Sequence, residues 1–467
     1  MNKDPPSLCL ALWNDYAARD FVDSGVLEEL SRHFRLSFVA GMKLSLDLGK
    51  YGVVHRYRDL PGWRIRMVLL ARGLWHMHDK RQFEFNRSHG LARATFGVGP
   101  IISALVRLLS GLRLAGVVAA TLRVCLRATA RYSIPVGQAP DALLVFTSVN
   151  SYFADDLVRE ARAKRIPILA LTNNWDNLNT KSFLESPPYL GVWGEQGFLI
   201  ARLMHRLFPH QLFVVGAPRF EIYRRRLAKA EARRLLGVPD DARLLLFCGS
   251  GVSFEESSLI EELEAAISDG RLPGDLHVLY KPHPMRFQRT GEKPLDFTCL
   301  RHVTLAVSKR GLTELDLYPY LMAAADGVVS PFSTMVMEGA HHGLPALCLG
   351  YNDQGHANHD WDRVSYNLHL YVIRHSEWAL VCDARAQFIE KCRALVRNLG
   401  DPRLAIEARK SASMVFHTGE TTVAQNIARA IHRLLGGLDA DDSYVAAQRS
   451  ARSAPRRMTA EPIPADK

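Results

Sequence analysis

Short apolar runs alternate with segments of helical periodicity through the first half of the chain. Apolar runs predict strands at 8–13, 34–40, 140–146, 167–171, 190–193 and 212–215. Helical spacing of apolar residues predicts helices at 24–33 and 153–164. Alternation of strands and helices is typical of a mostly parallel sheet whose crossover connections place helices on both faces.

The second half repeats this alternation. Strands are predicted at 244–247, 277–280, 303–307, 326–331 and 345–349, and helices at 220–236, 255–267, 314–325, 385–399, 403–416 and 421–435. The fold class is therefore α/β with two Rossmann-like domains. We place the first domain at 1–220, a linker at 221–241 and the second domain at 242–435; residues 436–467 lack periodicity and are predicted to be a disordered tail.

Length and composition indicate a soluble globular protein. The chain has 467 residues, of which 48% are hydrophobic and 23% charged, which is enough for two domains or more. The first apolar run, 8–13, is too short for a secretion signal. The seven cysteines show no paired spacing, and several lie in apolar runs as small core residues do. We therefore expect a cytoplasmic location.

Positive charge is concentrated in one part of the first domain. The formal net charge is +11, while residues 50–135 contain fifteen lysines and arginines and three acidic residues, a local excess of twelve. Aromatic and aliphatic residues accompany these charges, which suits contact with anionic lipid headgroups at the inner face of a membrane. Arginines inside the helical run 101–126 argue against a spanning helix, because each costs roughly 3 kcal/mol to insert.

The basic segment has a second interpretation. It can be a solvated, arginine-rich face of its own domain. Nucleic acid is not an expected partner, because no recognition helix, zinc motif or aromatic single-strand motif accompanies the charge.

Two strand ends in the second half carry groups that suit an anion. Lys281 and His283 lie in a Lys-Pro-His-Pro turn after a strand, where two prolines fix the backbone. Ser333 and Thr334 stand where a helix should begin, so hydroxyls and backbone N–H groups meet the positive end of the helix dipole. Glu338 follows one turn later. Because open α/β sheets bind ligands at their carboxyl edge, these residues predict a phosphate site.

A small turn between the first strand and helix of the second domain is a weaker candidate. Gly249, Ser250 and Gly251 can admit a phosphate or a ribose, although most such turns are only turns.

The most polar loop of the first domain follows the strand 167–171. Its amides, tryptophan and carboxylate would lie at the carboxyl end of the sheet, where polar loops on rigid scaffolds often carry function. Together with a glutamate after the next strand they form the predicted acceptor side: Asn173, Asn174, Trp175, Asp176, Asn177 and Glu195.

These motifs together resemble the GT-B superfamily. The likeness rests on Val-Gly-Ala-Pro at 215–218, Lys-Pro-His-Pro at 281–284, and Ser-Thr-x-x-x-Glu at 333–338 before Gly-x-Pro at 343–345. It is similar to bacterial surface-polysaccharide and teichoic-acid transferases with a His-Pro motif, which are CDP-glycerol glycerophosphotransferase-like, and more distantly to UDP-N-acetylglucosamine 2-epimerases. The resemblance implies two Rossmann-like domains that face a central cleft, with the donor in the second domain.

The resemblance also implies roles for individual residues. His283 would contact the donor phosphates, Ser333 and Thr334 would hold them at the helix start, and Glu338 would reach the ribose hydroxyls. The epimerase pattern Ser-Gly-Gly is replaced here by Ser333-Thr334-Met335, whose bulk restricts approach to a pyrophosphate and favours the transferase likeness.

The expected function is transfer of a glycosyl or glycerol-phosphate-like group from a nucleotide-activated donor to a cell-surface polysaccharide or lipid-linked glycan precursor. Lys281, His283 and the Ser333 helix start would stabilise the leaving phosphate. For the base, Asp176 is the first candidate, followed by Asp15 and Asp20. The alternatives are an epimerase and a non-catalytic nucleotide-binding scaffold of an envelope-assembly complex.

Histidines and aspartates in the second domain raise the possibility of a metal. They are His341, His342, His356 and His359 with Asp353, Asp360 and Asp362. Their spacing matches no known ligand set, and Lys281 with helix dipoles can neutralise a diphosphate instead. We expect no metal and no cofactor besides the donor.

Overall fold

A computed structural model gives the fold of the chain. The structure describes residues 4–58, 60–79, 100–111, 114–130, 132–134, 139–146, 154–225, 227–249, 255–283, 296–307, 314–351 and 367–436. Ser250, Gly251, the predicted tail from 437 onward and five of the metal candidates (His356, His359, Asp353, Asp360 and Asp362) lie outside these ranges.

The first sheet has seven parallel strands. They are β1 (Ser7–Leu12), β2 (Arg35–Gly41), β3 (Gly52–Tyr57), β4 (Ala142–Phe146), β5 (Ile168–Leu171), β6 (Tyr189–Val192) and β7 (Leu212–Val214), in the order β3-β2-β1-β4-β5-β6-β7. Its helices are α1 (Asp15–Val22), α2 (Val26–Ser31), α3 (Gly62–Asp79), α4 (Pro100–Gly111), α5 (Ala115–Ala128), α6 (Ala154–Ala163), α7 (Asn177–Thr180) and α8 (Glu195–His205), and a 3-10 turn follows at Pro209–Gln211.

The second sheet has six parallel strands. They are β8 (Arg243–Cys248), β9 (Leu276–Lys281), β10 (Val303–Leu305), β11 (Gly327–Pro331), β12 (Ala346–Leu349) and β13 (Ala379–Cys382), in the order β10-β9-β8-β11-β12-β13. The helices are α9 (Lys229–Leu236), α10 (Glu256–Ser268), α11 (Glu314–Ala324), α12 (Thr334–His341), α13 (Tyr371–Arg374), α14 (Phe388–Asn398), α15 (Pro402–Val415) and α16 (Val423–Leu435). Further 3-10 turns lie at Pro218–Arg224, Phe297–Cys299, Leu368–Leu370 and Arg385–Gln387. The predicted two-sheet parallel architecture is confirmed.

In each sheet the strand order reverses at one point, so that successive strands are added on one side of the first strand and then on the other. In the first sheet the reversal lies between β1 and β4, and in the second between β8 and β11. The helices that follow two such strands leave on opposite faces of the sheet, which opens a crevice at the carboxyl ends. The second of these crevices receives the residues that follow β8 and β11.

The last helix crosses back to the first domain. Val423, Ile427 and Ile431 of α16 are buried in the core that also contains Leu8 and Phe34. The single second domain that we assigned to residues 242–435 is therefore wrong for this helix. The sequence predicts this helix from its apolar spacing. It does not predict which sheet the helix packs against, because that depends on contacts between residues distant in sequence.

The linker is less helical than predicted. The expected helix at 220–236 is divided into the 3-10 turn Pro218–Arg224 and α9, with extended backbone at Arg225 between them. Similarly, the helix expected at 24–33 begins at Val26, because Gly25 adopts a left-handed φ of 76° and separates α1 from α2.

Among the described residues, the basic segment 50–135 contains the strand β3 and the helices α3, α4 and α5. Arg64 on α3 is buried, and its Nη2 lies 3.0 Å from Asp156 Oδ2 on α6. Arg123 and Arg127 on α5 both bind Glu185, with N–O distances of 2.9 and 2.6 Å. These arginines fasten the helices to the domain and do not all point to solvent. In the described ranges, no helix combines the length and apolar character needed to cross a membrane.

Candidate functional site

The carboxyl ends of β8 and β9 meet at Gly249. The N–H of Gly249 donates to the carbonyl of Lys281 at 2.8 Å, which extends the pairing of Cys248 with Lys281. A Cβ on Gly249 would come within 2.9 Å of the backbone nitrogen of His283 and would also meet the carboxylate of Glu256. Only glycine fits here, so Gly249 and the described residues 281–283 form one continuous edge.

Glu256 is a member of this edge that we did not predict. It lies in the first turn of α10, is completely buried, and its Oε2 accepts a hydrogen bond of 2.7 Å from the Tyr280 hydroxyl. Acidic residues are common in first helical turns, so its sequence position gave no distinguishing sign. Its carboxylate lies directly behind Gly249 and braces the strand ends.

Lys281 and His283 lie half-buried at the end of β9. The Lys281 ammonium is 5.9 Å from the centre of the Tyr318 ring on α11 and donates to the carbonyl of Pro282 at 3.3 Å. Its charge is near enough to Cys248 to oppose the rise that burial causes in the pKa of that thiol. A cation is thus placed at the crevice of the second sheet, as predicted from the strand end.

Ser333 stands at the N-terminus of α12, which is the position that the sequence predicts. Its backbone is extended, but its side chain does not cap the helix. Instead, its Oγ lies 2.9 Å from the Oγ of Ser330 at the end of β11. Ser333, Thr334 and Met335 are half-buried, so the start of the helix is reachable from solvent. An anion at this position would meet the positive end of the helix dipole.

Glu338 occupies a different environment from the one that the resemblance implies. It is 1% exposed, its Oε1 lies 3.2 Å from Arg219 Nη2, and its Oε2 accepts a short hydrogen bond from the Tyr223 hydroxyl. Burial raises the pKa of Glu338, and Arg219 opposes that rise. Both oxygens face protein groups from the linker turn Pro218–Arg224, which conflicts with the predicted contact to ribose hydroxyls.

Asp20, one of the predicted bases, belongs to the same buried cluster. It is 7% exposed, and burial raises its pKa while Arg219 and Arg19 lower it. Arg219 therefore stands between a carboxylate from α1 in the first domain and one from α12 in the second. We call Asp20, Arg219, Tyr223 and Glu338 the interdomain cluster. Its position explains why these carboxylates are buried: they join the domains.

Asp176 lies in the polar loop of the first domain, beside the second domain. Its Oδ1 accepts from Asn177 Nδ2 and its Oδ2 accepts from Thr180 Oγ1, both at 2.9 Å. The loop contacts the second domain through Asn179 Nδ2, which donates to Asn367 Oδ1 at 2.7 Å. Burial lowers the pKa of His369 in the second domain to about 4, and the charge of Asp176 opposes this. Asp176 is therefore both fixed by its loop and close to the domain boundary.

The other residues of the predicted acceptor side divide between the boundary and solvent. Trp175 is buried against the core of the second domain, and its ring centre lies 5.0 Å from that of His369. Asn173 and Asn174 are half-buried, and Asn174 Oδ1 accepts from the Trp175 N–H at 2.9 Å. Glu195 is exposed in the first turn of α8.

A pocket lies beneath the same loop in the first domain. Its empty space is about 750 Å³, a volume that includes the open solvent at its mouth. The walls are mostly apolar, with Val145 and Leu178 among them. Asn177 lines it and is 3% exposed, and its Oδ1 has no hydrogen-bond partner among the described residues. Such a buried acceptor suits a ligand with a hydroxyl or N–H donor.

Asp15 is held by a neighbouring loop. Its Oδ1 accepts from the Ser45 N–H at 2.7 Å and its Oδ2 from the Ser45 hydroxyl at 2.8 Å. Burial tends to raise the pKa of Asp15, but these hydrogen bonds and one from Leu46 N–H hold it below its usual value. The carboxylate therefore anchors the loop after β2, close to the reversal point of the first sheet.

The two described histidines of the metal hypothesis are packed among rings. His342 lies 5.1 Å from Tyr223 and His341 lies 5.5 Å from Phe416, measured between ring centres. Burial lowers the pKa of both, and that of His342 to about 4. Within the described ranges, no three histidine, cysteine or acidic side chains form a group able to hold a metal ion.

Comparison with known proteins was made by sequence and by structure. No protein-family model matches the chain, and the search of curated proteins by sequence finds no match. Solved structures match across almost the whole chain. The glycotransferase of kitacinnamycin covers 92% of this chain and 100% of its own, with 12% identity and a TM-score of 0.51.

Two further solved structures agree. CalG4, the calicheamicin glycosyltransferase, has 13% identity and a TM-score of 0.50, and the match covers 93% of this chain and 99% of CalG4. The S. aureus MnaA–UDP co-structure has 9% identity and a TM-score of 0.51, with 92% and 97% covered. At such identities the likeness concerns the fold alone. The chain has the two-domain fold of the GT-B glycosyltransferases, as its sequence motifs predicted.

Proposed function

We propose that this protein is a GT-B-type transferase that moves a glycosyl or glycerol-phosphate-like group from a nucleotide-activated donor to a cell-surface polysaccharide or lipid-linked glycan precursor. One observation carries the proposal. At the crevice of the second sheet, the side-chain-free Gly249 lies against the backbone of His283, beside Lys281 and the N-terminus of α12. Cations, backbone N–H groups and close backbone approach are what a diphosphate requires.

The chemistry follows from this arrangement. The hydroxyl of the acceptor attacks the transferred group, the bond from that group to the donor phosphate breaks, and the electron pair stays on the phosphate oxygen. Lys281 and the dipole of α12 stabilise the charge that develops there, with His283 as a further contact. The proton of the acceptor hydroxyl passes to a base on the first domain, for which Asp176 is our candidate.

The position of Asp176 supports its assignment as the base over the two other candidates. Asp20 is buried in the interdomain cluster and Asp15 anchors a loop through three hydrogen bonds. Asp176 is half-buried, and its loop lies between the second domain and the pocket that contains Asn177. In this proposal the pocket receives the acceptor.

Nucleotide binding tests the donor site. Each of UDP, CDP, CMP and GDP would be titrated while the thermal unfolding of the full chain is followed. A bound nucleotide at 100 times its dissociation constant should add about 2.7 kcal/mol to the free energy of unfolding. Lys281→Ala should weaken binding at least ten-fold, while Lys410→Ala, at an exposed lysine on α15, should leave it unchanged. Stabilisation by none of the four nucleotides would contradict the donor site.

Turnover tests the reaction and the base. With the matching donor and a lipid-linked acceptor, Asp176→Asn should lower kcat by about 10² to 10⁴ and leave nucleotide binding intact. Asp15→Asn is the matched control and should keep most of the activity. Release of free epimerised sugar would instead identify an epimerase, and nucleotide binding without any turnover would identify a scaffold.

A further inference from the structure

We infer that the outer face of α4 and α5 is a docking surface for an anionic lipid bilayer. We define this outer face by five apolar side chains that the structure leaves exposed: Leu105, Leu108, Leu114, Val117 and Val124. The inference concerns where the protein works and does not depend on the transfer reaction.

Helix α5 shows two contrasting faces. Its inner face, with Ala115, Ala119 and Leu126, is buried against α3 and the residues around it. Val117 and Val124, two turns apart on the opposite side, are 65% and 63% exposed. The exposed positions between them, Ala120 and Thr121, are uncharged. A soluble surface helix normally carries charges on such a face, so an apolar one indicates a partner.

Helix α4 also has exposed apolar side chains. Leu105 and Leu108 are one turn apart and more than half exposed, at 52% and 58%, while Val106 between them is buried. Leu114 joins the two helices, and its N–H donates to the carbonyl of Leu109 at 2.9 Å. The exposed apolar side chains therefore extend over two successive helices and Leu114, the residue that precedes α5. Single exposed apolar residues are normal on a protein surface, whereas a group of this extent indicates an interaction site.

Charge identifies the partner as anionic lipid. The outer face belongs to the segment 50–135, whose excess of twelve positive charges exceeds the net charge of the whole chain. Arg123 and Arg127 at the edge of α5 share one carboxylate, that of Glu185, so this group keeps a positive charge. Arg107 on α4 and Arg66 near the start of α3 are exposed. Apolar side chains within a basic surround are typical of helices that lie in the plane of a membrane interface.

The helices are suited to lying on a bilayer. Neither α4, with twelve residues, nor α5, with fourteen, is long enough to span a bilayer, which takes about twenty residues. The two arginines bound to Glu185 hold α5 against the folded domain. Docking through this face would bring the pocket of the first domain, which Glu185 also lines, near the membrane.

Sedimentation with lipid vesicles tests the inference. The full chain should pellet with vesicles of phosphatidylcholine containing phosphatidylglycerol at least ten times more strongly than with phosphatidylcholine alone, and less strongly at high salt. The double variant Val117→Asp with Val124→Asp should lose at least nine-tenths of this binding. The matched control is Ile406→Asp on α15, which alters a side chain as exposed as Val117, at 65%, and should bind as the original protein does.

Several results would overturn the inference. Equal pelleting with both vesicle types, or undiminished pelleting of the double variant, would exclude an anionic lipid surface at this face. Self-association that the double variant abolishes, seen by light scattering without vesicles, would assign the face to a second copy of the chain. Thermal unfolding of the variant establishes that it is folded. Nucleotide binding, measured in parallel, is expected to stay intact, which separates this result from the donor-site test.

Discussion

The carboxyl edges of the two sheets are built from opposite chemistry. At the second sheet, Gly249, Lys281 and the Ser333 helix start present backbone, a cation and a hydroxyl to the crevice. At the first sheet, the prominent groups are the carboxylates of Asp15 and Asp176, each held by hydrogen bonds within or between loops. The one carboxylate described at the second edge, that of Glu256, is buried and accepts a hydrogen bond from Tyr280, so the groups left at this edge can take an anion. The carboxylates at the first edge would repel one. The difference supports our proposal that the donor phosphate binds at the second sheet.

Two buried glutamates of the second domain can also be compared. Glu256 and Glu338 both lie near the start of a helix, and both accept a hydrogen bond from a tyrosine, Tyr280 and Tyr223 respectively. Glu256 braces the strand ends behind Gly249, while Glu338 joins the linker turn to α12. Although both carboxylates are buried and bound to a tyrosine, Glu256 lies at the strand ends of the candidate site and Glu338 lies at the contact between the domains.

The largest effect is expected from the interdomain cluster, in which Arg219 meets carboxylates from α1 and α12. Glu338→Ala removes a buried carboxylate and leaves Arg219, whose side chain is only 14% exposed, without this partner. It should lower the free energy of unfolding by about 3–5 kcal/mol. Glu28→Ala, which removes the exposed ion pair between Glu28 and Arg32, is the control and should cost less than about 1 kcal/mol. Urea denaturation measures both. Equal losses in the two variants would show that burial does not distinguish these pairs.

Acid should weaken the contact between the domains. Because burial lowers the pKa of His369 to about 4, the folded protein keeps this ring neutral while the unfolded chain takes up a proton below about pH 6.5. Protonation of His369 in the unfolded chain therefore does not lower the free energy of unfolding above about pH 6.5, and it lowers it increasingly as the pH falls toward 4. Between pH 7.5 and 4.5 this residue should account for roughly 2–3 kcal/mol of lost stability.

His369→Phe isolates that contribution, because it removes the titrating group and keeps a ring beside Trp175. The variant should lose less stability than the original protein over the same pH range, as measured by urea denaturation at each pH. The same loss in both proteins would place the titrating groups elsewhere.

A substitution at Gly249 tests the proposed donor site at the ends of β8 and β9. Gly249→Ala places a methyl group against the His283 backbone and the buried Glu256 carboxylate, and should cost about 1–3 kcal/mol of unfolding free energy together with most of the nucleotide binding. Gly274→Ala is the matched control in the same domain, since nothing lies within 4 Å of its Cβ position. The control should be neutral or slightly stabilising. Unchanged binding in Gly249→Ala would mean that no ligand approaches this edge closely.

The smallest effect is expected at the first sheet. Asp15→Asn weakens charge-assisted hydrogen bonds at a partly exposed position and should cost less than about 1 kcal/mol. Because hydrogen bonding lowers the pKa of Asp15 in the fold, its contribution is present above the unfolded pKa and is lost as the pH falls through the folded value. Thermal unfolding over a series of pH values should show a difference between variant and original at pH 7 that shrinks progressively as the pH falls below about 4.

The sequence by itself determined the parallel α/β architecture and the placement of several polar residues at strand ends of the second sheet. Buried strands are continuous apolar runs, and a polar group directly after such a run must lie at the carboxyl edge, so Lys281, His283 and Ser333 could be placed from local pattern alone. The same reasoning located the polar loop that contains Asp176, which follows β5.

The tertiary structure decided which side chains turn away from that edge and which surfaces have partners. Glu338 and Asp20 meet Arg219 across the domain boundary, and α16 packs on the first sheet although it follows the second in the chain. Exposure of Val117 and Val124 depended on which face of α5 packs against α3. Local periodicity determines whether a helix has an apolar face. Which residues cover that face depends on parts of the chain distant in sequence, and these come together only when both sheets and their helices pack.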